Sequence, residues 1–84
     1  MKPSATDMVR AARVWAESGW ICIRLQDERE IRFPAAKNRR LRNASAAQLS
    51  NVELICDGTG IRWSDLDEDL TVSGILEGRF GQGQ

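Results

Sequence analysis

The carboxylates of Asp65, Asp67, Glu68 and Asp69 are the densest group of chemically capable side chains in this 84-residue chain. Asp65, Asp67 and Asp69 stand at positions one, three and five of a calcium loop of the EF-hand kind, where alternate carboxylates converge on one ion. The rest of that loop is missing. Leu70 occupies the position that needs glycine for the turn, and Leu76 occupies that of the bidentate glutamate. A carboxyl pair acting as acid and base would need one member in an apolar pocket that raises its pKa. A segment dominated by like charge reads instead as solvated. Two readings of residues 65–69 stay open: an exposed polar loop, or a patch that steers a basic protein partner and rejects acidic ones. A carboxylate enzyme or cation site is the weakest alternative.

Lys37, Arg39, Arg40 and Arg42 form the basic counterpart. On a helix, 39 and 42 would share one face and 37 and 40 roughly another. Such a cluster could neutralise a few phosphates, which makes nucleic acid the alternative partner. No aromatic residue interleaves these cations, as a stacking platform for bases would require. A solvated helix face is the favoured reading, with protein contact next, and proximity to the acidic segment of the same chain is a further one.

Trp15, Trp20 and Trp63 are large side chains for so short a chain. Trp63 is expected in the core. Trp15 and Trp20 point away from Val14 and Ile21, so they share the opposite face of their strands. That face is either an exposed binding surface or is covered by helices. Cys22 and Cys56 lie inside apolar runs and are expected to be buried, reduced thiols. The sequence has no histidine and no tyrosine. Ser-His and Cys-His nucleophiles and histidine-ligated metals are therefore excluded. No phosphate-cradling glycine loop of the GxxxxGK[ST] or GxGxxG type is present.

The elements that must position these residues follow from period and punctuation. Residues from Val9 to Glu17 read as a strand, with Val14 and Ala16 alternating against Arg13 and Trp15. Glu17-Ser18-Gly19 is a turn, with Gly19 free to take positive φ. Trp20 to Leu25 is β-branched and aromatic, and Ile21, Ile23 and Leu25 share a face. Gln26 to Arg29 forms the next turn, and Ile31 and Phe33 lie in a third strand that Pro34 ends. Residues 35–51 change to helix formers. A short basic helical turn is predicted around 36–43. Ser45 and Gln48 form a capping box that starts a second short helix at Ala46. Leu41, Ala44 and Leu49 would face the sheet. Val52 to Cys56 and Ile61 to Trp63 pair through the Asp57-Gly58 turn. Thr71 caps a last short helix from Val72 to Glu77, stopped by Gly78 and anchored by Ile75 and Leu76.

The fold class is therefore α+β: a three-stranded antiparallel meander, short helices, then a β-hairpin and a short C-terminal helix, packed as one small domain. Residues 1–8 are expected to be a flexible leader, 9–79 the domain, and 80–84 a flexible tail. A chain of this length buries only about 60–65% of its unfolded surface, which suits one core and a modest surface feature better than a deep cleft. Formal net charge is zero, but the charges are segregated. Residues 1–63 hold eleven Lys/Arg and seven Asp/Glu, while residues 64–84 hold one Arg and five Asp/Glu. No signal-like apolar segment follows Met1-Lys2-Pro3, and no apolar run approaches the ~20 residues that span a bilayer. The expected setting is the cytoplasm.

The run from Gly60 through Ile61-Arg62-Trp63, Asp65-Leu66-Asp67-Glu68-Asp69-Leu70 and on to Leu76-Glu77-Gly78 resembles the closing signature of the bacterial domain-of-unknown-function family 2442. That signature is a glycine turn, an Ile-x-Trp strand, an acidic D-x-D-E-D-[IL] stretch and a small-residue helix ending in Leu-x-Gly. Upstream, Ile31-Arg32-Phe33-Pro34, Arg39-Arg40-Leu41 and Asn43-Ala44-Ser45 fit the same order, and the similarity spans about residues 10–79. Two departures stand out: Asp27-Glu28-Arg29 lacks the usual glycine, and Asn38-Arg39 replaces bulky or proline residues. The resemblance implies a compact sheet-plus-helix fold with no catalytic residue set. It also implies a small protein partner encoded alongside, in two-gene arrangements that look like toxin–antitoxin pairs. The resulting expectation is a non-catalytic, antitoxin-like binding module without a cofactor or metal. It would dock a small protein through Asp65, Asp67, Glu68, Asp69, Trp15 and Trp20, and its free sheet edges favour a homodimer. The identity of the partner, and whether the role is antitoxin, regulator or mobile-element inhibitor, are not encoded in these patterns.

Overall fold

Two tight turns set the architecture. At Ser18-Gly19 both residues take positive φ, +50° and +84°. This is the type I′ geometry whose twist matches that of paired strands. It joins β1 (Ala11–Glu17) to β2 (Trp20–Leu25), and β3 (Glu30–Pro34) completes an antiparallel sheet of order β1-β2-β3. At Asp57-Gly58 both residues again have positive φ, +59° and +89°. That turn joins β4 (Val52–Ile55) to β5 (Gly60–Trp63). A computed structural model describes residues 9–81 of the chain. The expected leader, and residues 82–84 of the expected tail, lie outside those described.

The second sheet has a strand that the local pattern did not suggest. β6 (Glu68–Thr71) pairs antiparallel with β5, giving the order β4-β5-β6. Residues 65–69, expected as an exposed loop, are thus a 3₁₀ turn over Ser64–Leu66, a left-handed residue at Asp67 and the start of a strand. The core lies between the inner faces of the sheets. Ile21, Ile23, Leu25 and Phe33 come from the first, and Ile61, Trp63 and Leu70 from the second. Burying each such side chain contributes roughly 1.5–3 kcal/mol. Trp63 is fully buried, and its indole N–H donates to the Leu49 carbonyl at 3.1 Å. The polar atom of the largest core residue is thereby satisfied.

Between the sheets, α1 (Ala46–Ser50) begins with the predicted capping box: Ser45 Oγ accepts from the Gln48 amide, and Gln48 Oε1 accepts from the Ser45 amide. The short helical turn predicted around 36–43 is interrupted at Asn38 and resumes as hydrogen-bonded turns over residues 39–43. A 3₁₀ turn spans Ala35–Lys37, and Asn38 is extended. Asn38 Oδ1 accepts from the amides of Arg40 and Leu41. Asn38 thus caps the turn that follows, and its main-chain carbonyl accepts from the Arg42 amide at 3.0 Å. Leu41 still reaches the core, and Ala44 packs beside it.

α2 (Val72–Leu76) is capped by Thr71, whose Oγ1 accepts from the Gly74 amide. Gly78 follows at φ +87° as the stop. Ile75 is buried, but Leu76, expected to anchor the helix, is exposed. Phe80 and Gly81, expected in a loose tail, are packed instead. The Phe80 ring stacks on Phe33 with centroids 4.9 Å apart.

Gly58 ties the sheets together. A Cβ there would meet the Ala11 carbonyl oxygen at 2.7 Å, so both the left-handed φ and the close approach of β1 require glycine. Beside it, Arg10 and Asp57 form an ion pair at 3.0 Å. β4 ends at Ile55, and Cys56 enters the turn with φ +53°. Cys56 is therefore exposed, against the expectation of burial.

Candidate functional site

Strand pairing places nine side chains in a three-by-three grid on the outer face of the first sheet. One row is Arg13, Arg24 and Glu30; the next is Trp15, Cys22 and Arg32; the third is Glu17, Trp20 and Pro34. The alternation of β1, β2 and β3 directs these residues away from the core that Ile21, Ile23 and Phe33 fill. A bulge at Ala12 shifts the register between Ala11 and Arg13, which brings Arg13 directly opposite Arg24.

Among the described residues, the short helices leave Trp20 on this face uncovered. Trp20 is 40% exposed and Trp15 is half-buried. Of the pair, Trp20 is therefore exposed and Trp15 is not fully so. The Arg13 guanidinium lies over the Trp15 ring, 4.7 Å from its centroid. The Trp15 indole N–H donates to Glu17 Oε1 at 3.1 Å. Glu30 is shared, with one oxygen 3.1 Å from Arg24 and the other 3.5 Å from Arg32. Hydrogen bonding from Arg24 holds the Glu30 carboxyl below its ordinary pKa, with Arg32 adding to the effect.

Cys22 occupies the centre of the grid and has no accessible surface. It is the smallest side chain among taller neighbours, so Trp15, Trp20, Arg24 and Arg32 roof it. Burial pushes its thiol pKa up, the opposite of what a reactive cysteine needs.

The acidic residues occupy different settings. Asp65 accepts from the Asn51 side-chain amide at 3.0 Å. Asp67 is exposed at a left-handed turn. Asp69 lies opposite Arg62 on the outer face of the second sheet. Glu68, expected among the partner-binding residues, points the other way and is buried. The two-residue period of β6 dictates this: Glu68 and Leu70 face the core, Asp69 and Thr71 face water. Among the described residues, no three acidic or thiol side chains gather as metal ligands would.

Glu68 belongs to a polar clamp that sequence reasoning missed. Asn38, also buried, donates from Nδ2 to Glu68 Oε2 at 2.8 Å and to the Phe80 carbonyl. Arg40 lies 3.8 Å from the other Glu68 oxygen. The basic segment thus meets the acidic strand of the same chain through Asn38 and Arg40. Lys37, Arg39 and Arg42 remain exposed and hold no ion pair among the described residues. No helix of the described residues is long and apolar enough to cross a membrane.

Fold and surface together define a small α+β domain of two three-stranded sheets, each with a solvent-facing outer side. The chain belongs to the family described as "Protein of unknown function (DUF2442)", which matches residues 11–81. A protein of unknown function from Rhodospirillum rubrum has a crystal structure similar to this one. It is 33% identical, with a TM-score of 0.81 over 88% of this chain and 92% of that one. An uncharacterised protein from Chromobacterium violaceum, solved by NMR in solution, is 30% identical, with a TM-score of 0.76 over 88% of this chain and 70% of that one. None of the curated proteins matches.

Proposed function

We propose that this domain is a non-catalytic protein-binding module whose working surface is the tryptophan–arginine grid of β1–β3. The observation that carries the reading is Trp20, 40% exposed beside Trp15 on a flat sheet face. Tryptophan and arginine are the residues that dominate binding hot spots, because they supply large rigid area with polar handles. The hydrogen bonds of Trp15, Glu17, Arg24, Arg32 and Glu30 hold the grid in place before a partner arrives, which lowers the ordering cost of association. The sealed, unreactive Cys22 and the lack of histidine support a role without covalent chemistry. Two unpaired cysteines suit a reducing, cytoplasmic setting.

The finer reading is an antitoxin-like member of a bacterial two-gene pair, supported by the family to which the chain belongs and by the open grid. Asp65, Asp67 and Asp69 take a secondary part at most in this arrangement, since they point in different directions. Co-expression with the product of the adjacent gene tests the proposal. The native chain should co-purify with that product, and Trp20→Ala should lose it while keeping its melting temperature. A complex that survives Trp20→Ala but dissolves when the three aspartates become asparagine would refute the assignment of the surface.

A second reading, nucleic-acid binding through Lys37, Arg39 and Arg42, is supported by the exposure of these cations without ion pairs. It requires salt-dependent binding that Arg39→Ala plus Arg42→Ala removes.

A further inference from the structure

The grid contains an electrostatic fault. Arg13 and Arg24 stand directly opposite each other on neighbouring strands. Like charges in that position, with Cβ atoms about 4.5–5.5 Å apart, destabilise a sheet. One carboxylate, Glu30, serves both Arg24 and Arg32. The other, Glu17, is engaged by the Trp15 indole. Arg13 stacks on Trp15 and has no carboxylate of its own among the described residues. The row therefore holds one guanidinium, that of Arg24, paired with a shared acid, and a second, that of Arg13, stacked on an aromatic ring without a carboxylate.

We infer that the Arg13–Arg24 row is the seat for a carboxylate of a protein partner, a glutamate or aspartate with a neighbouring apolar side chain that rests on the exposed Trp20 ring. This rests on the protein-binding reading of the same face and specifies the partner's chemistry. The Arg13 guanidinium, with no carboxylate of its own among the described residues, keeps the planar N–H fork that matches a carboxylate. An incoming acid relieves the repulsion that the free domain carries, so the attraction exists only in the complex. A polynucleotide fits less well. Its evenly spaced phosphates would meet Glu17 and Glu30, and the Trp15 face that would stack a base is already covered by Arg13.

The test is an NMR titration of the ¹⁵N-labelled full chain with three probes at millimolar concentration: a peptide alternating leucine and glutamate, its leucine–glutamine counterpart, and a single-stranded thymidine oligonucleotide. The glutamate peptide should displace the Trp15 and Trp20 indole N–H signals, and bind at least fivefold more tightly than the glutamine peptide. Arg13→Gln should abolish that preference. It should also leave the fold intact or raise its melting temperature, because it removes the like-charge opposition. Equal binding of the two peptides at these indoles would overturn the carboxylate seat and leave the protein-binding face standing. Preferential binding of the oligonucleotide, or no displacement of either indole by any probe, would overturn both.

Discussion

Two clusters of this small domain use the same ingredients, a glutamate shared between side-chain donors, in opposite settings. In the interior, Glu68 is met by Asn38 and Arg40, and Asn38 has a partner for every polar atom of its side-chain amide. On the outer face, Glu30 is shared by Arg24 and Arg32, while Arg13 and the Trp20 ring face water. A buried polar group must be satisfied or it costs heavily; an exposed one can stay incomplete because water fills the gap. The closed cluster therefore serves the fold, and the open one has interaction capacity to spare. That contrast separates structural residues from binding residues in a chain with no reactive set to mark them.

Breaking the closed cluster gives the largest expected effect. Asn38→Ala strips a hydrogen bond from Glu68 and from the Phe80 carbonyl, and frees the amides of Arg40 and Leu41. The loss should be about 3 kcal/mol, because a buried carboxylate loses its partner. For a domain of this size the melting temperature should fall by more than about 10 °C, read by circular dichroism. A change within a few degrees would mean that the clamp is not what closes the core over Phe33 and Phe80.

The contrast also explains what was legible in the sequence. Ser18-Gly19, Asp57-Gly58 and the Ser45–Gln48 box are local devices whose geometry depends on adjacent residues, and all three formed as predicted. The strand at Glu68 was obscured because an inward-facing glutamate breaks the apolar alternation. Its justification, Asn38, lies 30 residues away. The break in the basic segment has the same origin, since extended Asn38 turns its side chain to Glu68 and Phe80 and caps only the turn after it. The alternation of β1 and β2 placed Trp15 and Trp20 on one face. Whether helices covered that face depended on where α1 and α2 packed, which no local signal reveals. The charge of the Arg13–Arg24 row depended on the bulge at Ala12, and the roof over Cys22 on cross-strand register.

A middle-sized effect is expected at the turn that supports the open cluster. Glu28 sits at φ +77°, a conformation that glycine adopts more readily. A non-glycine residue there carries backbone strain. Glu28→Gly should raise stability by about 0.5–1 kcal/mol, the gain reduced by the greater chain entropy of glycine when unfolded. Denaturant midpoints would show it. The indole and Arg24 signals should stay in place, since Glu30 begins its strand beyond the turn. Displacement of those signals would mean that the strained turn shapes the grid, and the two clusters would then differ less than their surroundings suggest.

The smallest effect concerns the open cluster itself. Arg24, and then Arg32, hold the folded Glu30 carboxyl below its ordinary value of 4.5. The unfolded chain therefore binds more protons between those two values, and stability rises with pH through that window. The contribution is present in full above 4.5 and is lost as pH falls through the depressed folded value. Asp27, lowered by the Arg29 amide and side chain, titrates nearby, so the difference between the native chain and Glu30→Gln isolates the effect. That difference should be small at neutral pH, vanish in strong acid and shrink in high salt, because the pair is exposed and screened. A large, salt-insensitive difference would show that the outer carboxylate is bound into the fold no less firmly than Glu68. An incoming acid would then find the Arg13–Arg24 row already neutralised.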